Sequence, residues 1–177
     1  MPILFLIGPR GSGKTLAATL LSEQFAFRAC DTDAIIRDVS GKTVAEIVEA
    51  GGWPAFRTLE KNALVEAVRR MKTDAAPAVI ATGGGMVLDA ENRARMRQEG
   101  VVAYLSAPAA VLAGRLSDLS SDASRPAFTS LPLEQEIAAV LRDRDSLYRE
   151  TAHHVIDASL PPGAVVQTLY DHCRETV

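Results

Sequence analysis

Five short apolar runs punctuate the chain: ILFLIG, FRACDTD, AVIAT, VVAYLSA and HHVIDAS. Between them lie longer stretches with helical spacing, such as Phe56, Leu59, Ala63, Leu64, Ala67, Val68 and Met71. Runs this short and this continuously apolar read as strands buried on both faces. Their alternation with helices predicts an α/β fold, a parallel sheet covered by helices on each side. Ligands of such sheets bind at the carboxyl ends of the strands. Thr43-Val-Ala-Glu46 has the form of a capping box that opens a helix. Gly51-Gly52 should close that helix, and Pro54 stands where the next can begin. The stretch 117–132, SDLSSDASRPAFTSLP, has no periodicity and reads as a functional lid rather than an ordinary loop.

At 177 residues, one domain with a sizeable core is expected, and no composition shift marks a second. A net charge of −3 argues against a general binder of nucleic acid or membrane surface. Any anionic ligand must therefore be gripped by a few well-placed cations. Cys30 and Cys173 are far apart in sequence and suggest no disulfide framework. The apolar run near the N-terminus is too short for a signal peptide or a membrane span, so a soluble cytoplasmic protein is expected.

The first run leads straight into Gly8-Pro9-Arg10-Gly11-Ser12-Gly13-Lys14-Thr15 and then a helical stretch. This is the phosphate-binding loop G-x-x-x-x-G-K-[ST] in its strand-to-helix setting. Glycines let successive backbone N–H groups turn inward around a phosphate, and the helix N-terminus adds partial positive charge. Gly11, Ser12, Gly13, Lys14 and Thr15 are the expected triphosphate contacts. Lys14 should reach the β- and γ-phosphates, and the Thr15 hydroxyl should ligate Mg²⁺. The loop implies a nucleoside triphosphate without naming the acceptor.

DTD adds Asp31 and Asp33 at the end of the second run. In an extended segment, residues two apart point the same way, so both carboxylates could face one cleft. The run AVIAT ends without an acid, which leaves Asp31 as a candidate for the Mg²⁺ side. Asp33 could then accept a hydrogen bond from an acceptor hydroxyl and help draw off its proton. The competing reading is a helix N-cap for AIIRDV.

Two arginines fall on stripes otherwise meant for burial. Arg57 is in phase with Leu64 and Met71, and Arg144 with Ile137, Val140, Leu141 and Tyr148. A buried cation is expensive unless paired, so each needs a partner. Glu60 could pair with Arg57 and aim it. The alternatives are internal salt bridges and the grip of a planar anion such as a carboxylate, whose shape the guanidinium fork matches. Arg125-Pro126 in the expected lid is a third candidate, since an arginine closing over the phosphates could neutralise charge developing in transfer. Arg115 could stack on an adenine or simply face solvent. Gly83-Gly84-Gly85, directly after AVIAT, costs stability unless something must approach the backbone closely.

In order along the chain, GPRGSGKT, DTD, FRTLE, ATGGG, the lid RP and RDSLYRETA resemble shikimate kinase, notably the type II enzymes of bacteria. The resemblance covers nearly the whole chain. It implies a P-loop NTPase fold similar to nucleoside monophosphate kinases: a five-stranded parallel sheet flanked by helices, one domain over 1–177, with a lid at about 112–131. It implies transfer of the γ-phosphoryl of ATP to the 3-hydroxyl of shikimate, with Mg²⁺, by a cytoplasmic monomer that uses neither nucleic acid nor membrane. Carried over by motif, Asp33, Arg57, Gly84 and its neighbours Gly83 and Gly85, and Arg144 would hold shikimate. Thr15 and Asp31 would serve Mg²⁺; Arg115 and Arg125 would serve ATP; Lys14, Asp33 and Arg125 would be catalytic. The glycine run would let the ring of the substrate lie against the backbone. A kinase of another small hydroxy acid, such as gluconate, is the nearest rival.

Overall fold

The computed structural model describes residues 3–73, 76–118 and 132–175. Five parallel strands, β1 (Ile3–Ile7), β2 (Arg28–Asp31), β3 (Ala78–Ala81), β4 (Gly100–Ser106) and β5 (His154–Asp157), form one sheet in the order β2-β3-β1-β4-β5. Each of the five apolar runs supplies one strand. The helices are α1 (Lys14–Phe25), α2 (Thr32–Ser40), α3 (Val44–Met71), α4 (Ala90–Glu99), α5 (Ala109–Asp118), α6 (Leu133–Thr151) and α7 (Pro162–Glu175), with a 3₁₀ turn at Met86–Leu88.

The continuous apolar runs are explained by a core on both sides of the sheet. Along β1, Ile3, Phe5 and Ile7 pack with α3 residues such as Leu64 and Val68. Leu4 and Leu6 point the other way, toward Ala17 and Leu21 of α1 and Val166 and Leu169 of α7. A period of two on a strand covered on both faces leaves no polar position to alternate with.

Turn chemistry shapes α2 and α3. The Thr43 hydroxyl accepts from the Glu46 N–H while Glu46 accepts from the Thr43 N–H, so the capping box is present. Gly52 breaks the helical path with φ 70° and ψ 178°, and the chain kinks there before Trp53-Pro54. β2 ends one residue into DTD. Asp31 caps α2, its Oδ1 accepting from the N–H groups of Asp33 (2.8 Å) and Ala34 (3.2 Å). The expectation of an extended DTD is thus corrected: Asp33 stands in the first turn of a helix, because Asp31 itself supplies the cap that starts it. Residues 112–118 of the expected lid are the last turns of α5; its remainder, with Arg125, lies outside the described residues.

From β1 the chain goes to one side to build β2 and β3, then crosses to the other for β4 and β5. The end of β1 therefore lies where the winding reverses, the place where ligands of open parallel sheets bind.

Candidate active site

The phosphate loop leaves β1 at that reversal. Gly8, Gly11 and Gly13 have φ of 146°, 81° and 90°, values side-chain-bearing residues rarely adopt. A Cβ on Gly8 would stand 2.7 Å from the Leu105 carbonyl oxygen, so the spot admits glycine alone. Lys14, 9% exposed, curls back over the loop; its Nζ donates to the carbonyls of Gly8 (2.9 Å) and Pro9 (2.8 Å) and to Ser12 Oγ (3.3 Å). An ammonium held on carbonyls at the loop's mouth is placed to turn toward a bound phosphate. Thr15 Oγ1 donates to Asp31 Oδ2 at 2.8 Å. Asp31 thus uses one oxygen to cap α2 and the other to meet the phosphate loop, so the N-cap reading holds for this residue while its second oxygen stays at the mouth of the loop.

A cleft of about 740 Å³ surrounds the loop, lined by Gly11 through Thr15, Asp31 and Asp33. Its far wall is Arg115, Leu160, Pro162 and Val165. Arg115 is half-buried and donates to the carbonyl oxygens of Ala158 (2.7 Å) and Gly11 (3.5 Å). The reading that turned it to solvent is therefore corrected: the carbonyls draw the guanidinium into the cleft wall.

A second compartment adjoins the first. Asp33, Trp53, Phe56, Arg57, Glu60, Gly83 to Gly85, Glu136 and Arg144 are among its walls. Arg57 forms an ion pair with Glu60, as the i, i+3 spacing predicts. Its guanidinium also lies 5.3 Å from the Trp53 ring centre and 5.5 Å from that of Phe56, so aromatic faces and a carboxylate together fix its aim. Glu60 is 2% exposed. Burial raises its carboxyl above the ordinary value, against the opposing pull of Arg57 and, more weakly, Arg144. Arg144 Nη1 donates to the Gly84 carbonyl at 3.2 Å.

The glycine run now has a geometric reason. A Cβ on Gly83 would lie 2.7 Å from Glu60 Oε1 and 2.9 Å from Asp33 Oδ1. One on Gly85 would collide with the Arg57 guanidinium. None of the three has a left-handed φ. What comes close at Gly83 and Gly85 is the protein's own charged side chains, packed as the walls of the compartment, while Gly84 faces the phosphate-loop backbone at ordinary contact distance.

Asp33, 9% exposed, together with Arg10, Gly84 and Leu116, lines both compartments. The structure thus brings together Lys14, Thr15, Asp31, Asp33, Arg57, Gly83 to Gly85, Arg115 and Arg144. Three members escape sequence reasoning. Thr32 is fully buried, and its hydroxyl accepts from the Gly83 N–H at 3.0 Å, tying DTD to the glycine run. Tyr148 donates to the Gly84 carbonyl at 2.6 Å, though its position in an apolar stripe marks it only as core. Arg10 fills a variable position of the phosphate loop and carries no signal of its own.

Comparison with known proteins places this geometry. The family model described as "Shikimate kinase" matches residues 10–174. A shikimate kinase of Oleidesulfovibrio alaskensis is 48% identical over 165 residues, 93% of each chain. Shikimate kinase 2 of Yersinia pestis is 46% identical over 94% of this chain and 92% of its own. Among solved structures, shikimate kinase from Acinetobacter baumannii in complex with shikimate superposes with a TM-score of 0.88 at 32% identity, over 99% of this chain and 94% of that one. A gluconokinase from Sinorhizobium meliloti, with a TM-score of 0.57 at 16% identity over 99% and 95% of the two chains, shares the fold alone.

Proposed function

The chain belongs to the shikimate kinase family, and on that premise we propose that it transfers the γ-phosphoryl group of ATP to the 3-hydroxyl of shikimate, giving shikimate 3-phosphate. One observation carries the reading: Asp33 lines both the phosphate-loop cleft and the arginine-lined compartment. A hydroxyl acceptor beside Asp33 would meet a terminal phosphate from Lys14's side, which is the arrangement in-line transfer needs.

The assignments follow from position. The backbone of Gly11 to Thr15 and the Lys14 ammonium bind the phosphates, and Arg115 holds the nucleotide side of the cleft. Arg57 and Arg144 grip the carboxylate of shikimate, whose ring lies toward Gly83 to Gly85. Asp33 accepts a hydrogen bond from the 3-hydroxyl and takes its proton as the new O–P bond forms and the β–γ bridging bond of ATP breaks. No covalent enzyme intermediate is required. Arg125 acts from the lid, where it neutralises charge on the phosphates while closure excludes water.

Thr15 and Asp31 suit Mg²⁺. Both present hard oxygen donors, 2.8 Å apart, and this metal takes one or two protein oxygens with phosphate and water completing its shell. When bound, it offsets phosphate charge and helps orient the chain of phosphates. The reading includes a cytoplasmic monomer acting on small molecules; among the described residues no helix is long and apolar enough to cross a membrane.

The test is ADP release in a coupled assay with ATP and Mg²⁺, supplying shikimate, gluconate, a nucleoside monophosphate or no acceptor. Release that depends on shikimate alone is expected. Turnover with another acceptor would keep the phosphate chemistry and overturn the roles of Asp33, Arg57 and Arg144.

A further inference from the structure

Arg144 and Tyr148 are four residues apart on α6, so they lie one above the other on the same helix face. Both reach across to one acceptor, the Gly84 carbonyl: Tyr148 Oη at 2.6 Å and Arg144 Nη1 at 3.2 Å. The positive charge of Arg144 also acts on the phenol, against the rise that burial imposes on its pKa. Tyr148 is fully buried and stacks on Tyr104 with ring centres 4.9 Å apart. Tyr104 in turn donates to Asp145 Oδ1 at 2.8 Å, and Arg149 holds the other oxygen of that carboxylate at 2.6 Å. The phenol is therefore a fixed post, braced from behind, against which a glycine carbonyl and a half-buried guanidinium are both set.

Resting on the proposed role of Arg144 as a carboxylate grip, we infer that Tyr148 is the positioning residue of that grip, holding the Gly84 peptide and Arg144 in the one arrangement that accepts the substrate's acid group. A long arginine side chain loses much rotamer freedom on binding an anion, and a post that pre-sets it removes that cost before the ligand arrives. Gly84 has no side chain of its own to resist rotation of its peptide plane, so the bond from Tyr148 does that work. Tyr104, Asp145 and Arg149 act one step further back, on the ring alone.

The test compares shikimate with its methyl ester in wild-type and Tyr148→Phe enzymes. The ester keeps the ring and the 3-hydroxyl but lacks the charge Arg144 would grip. Wild type is expected to prefer the acid. In Tyr148→Phe the KM for shikimate should rise about tenfold, the size of one lost hydrogen bond to a charged site, with the KM for ATP and for the ester unchanged. Tyr104→Phe keeps the Gly84 bond and should leave the acid-to-ester ratio as in wild type. An equal loss for acid and ester in Tyr148→Phe would show a packing role and overturn the inference. Wild type that turns over shikimate and ester alike would overturn it too, by removing the grip, while no shikimate turnover at all would sink the proposed function itself. A measurement on the unmutated chain guards against misfolding of the variant. With tyrosines replaced by 3-fluorotyrosine, the Tyr148 ¹⁹F resonance should move on adding shikimate and stay put with the ester. A resonance indifferent to both would overturn the inference.

Discussion

Glu60 shows how one buried carboxylate ties stability and activity together with opposite signs. Burial raises its carboxyl above 4.5, with Arg57 on its own helix, Arg144 from α6 and the Asp33 carboxylate of α2 around it. The folded state then holds this proton more tightly than the unfolded chain. Its contribution to stability is therefore present below pH 4.5 and lost as pH rises through the folded value. The exposed Glu66, lowered to about 2 by its bonds to Arg69 and Arg70, works in reverse: its contribution, screened by solvent, is present above 4.5 and lost as pH falls toward 2. On the proposed role of Arg57, activity is expected to follow the charge on Glu60, because the carboxylate is what pairs with Arg57 and aims it. The acid limb of kcat/KM for shikimate is expected above pH 4.5, and Glu60→Gln should lower kcat/KM at neutral pH and abolish that limb. A limb unchanged in the variant would assign it to another group. Arg144→Ala is expected to weaken shikimate by roughly 2–5 kcal/mol, the loss for one half of a desolvated charge pair, with little change in the KM for ATP. Steady-state kinetics in both substrates checks this. At this scale the two arginines were legible as cations on apolar stripes, and Glu60 as the partner of one. The post behind the other was not, because a tyrosine in a core stripe looks the same whether or not its hydroxyl reaches a carbonyl 64 residues away.

The kink in α3 sets the angle at which Trp53 and Arg57 enter the compartment. Gly52 there combines φ 70° with ψ 178°, a region open essentially to glycine alone. Gly52→Ala is expected to cost about 1–3 kcal/mol in urea unfolding and to raise the KM for shikimate, since relief of the strain would swing Trp53 and Arg57 away. An unchanged unfolding midpoint would show that the backbone relaxes freely. The capping box and the Gly-Gly break could be read from sequence because each is a rule about neighbours a few residues apart. DTD could not. Whether an Asp at a strand end continues the strand or caps a helix depends on what its second oxygen meets, and here that is Thr15, sixteen positions earlier.

Two compartments that share a seam should take their ligands separately. Each ligand at a hundred times its Kd is expected to stabilise the protein by about 2.7 kcal/mol. Lys14→Ala should lose turnover and the shift in Tm given by MgADP while keeping that given by shikimate; Arg144→Ala should lose only the shikimate shift. Thermal melts with each ligand check both. If either variant lost both shifts, the compartments would be one site. The sequence by itself determined the parallel sheet, the phosphate loop at the end of its first strand, and the stock of cations and acids available there. Those follow from hydrophobic period, turn residues and motif spacing, all short-range properties of the chain. Only the tertiary structure decided which groups meet. It set Glu60, Asp33 and Arg57 so near Gly83 and Gly85 that no Cβ would fit, and it drew Thr32, Arg144 and Tyr148 onto the same glycine run from opposite sides. Such approach distances come from how β3, α2, α3 and α6 pack on one another, and no local pattern in any one of them records it.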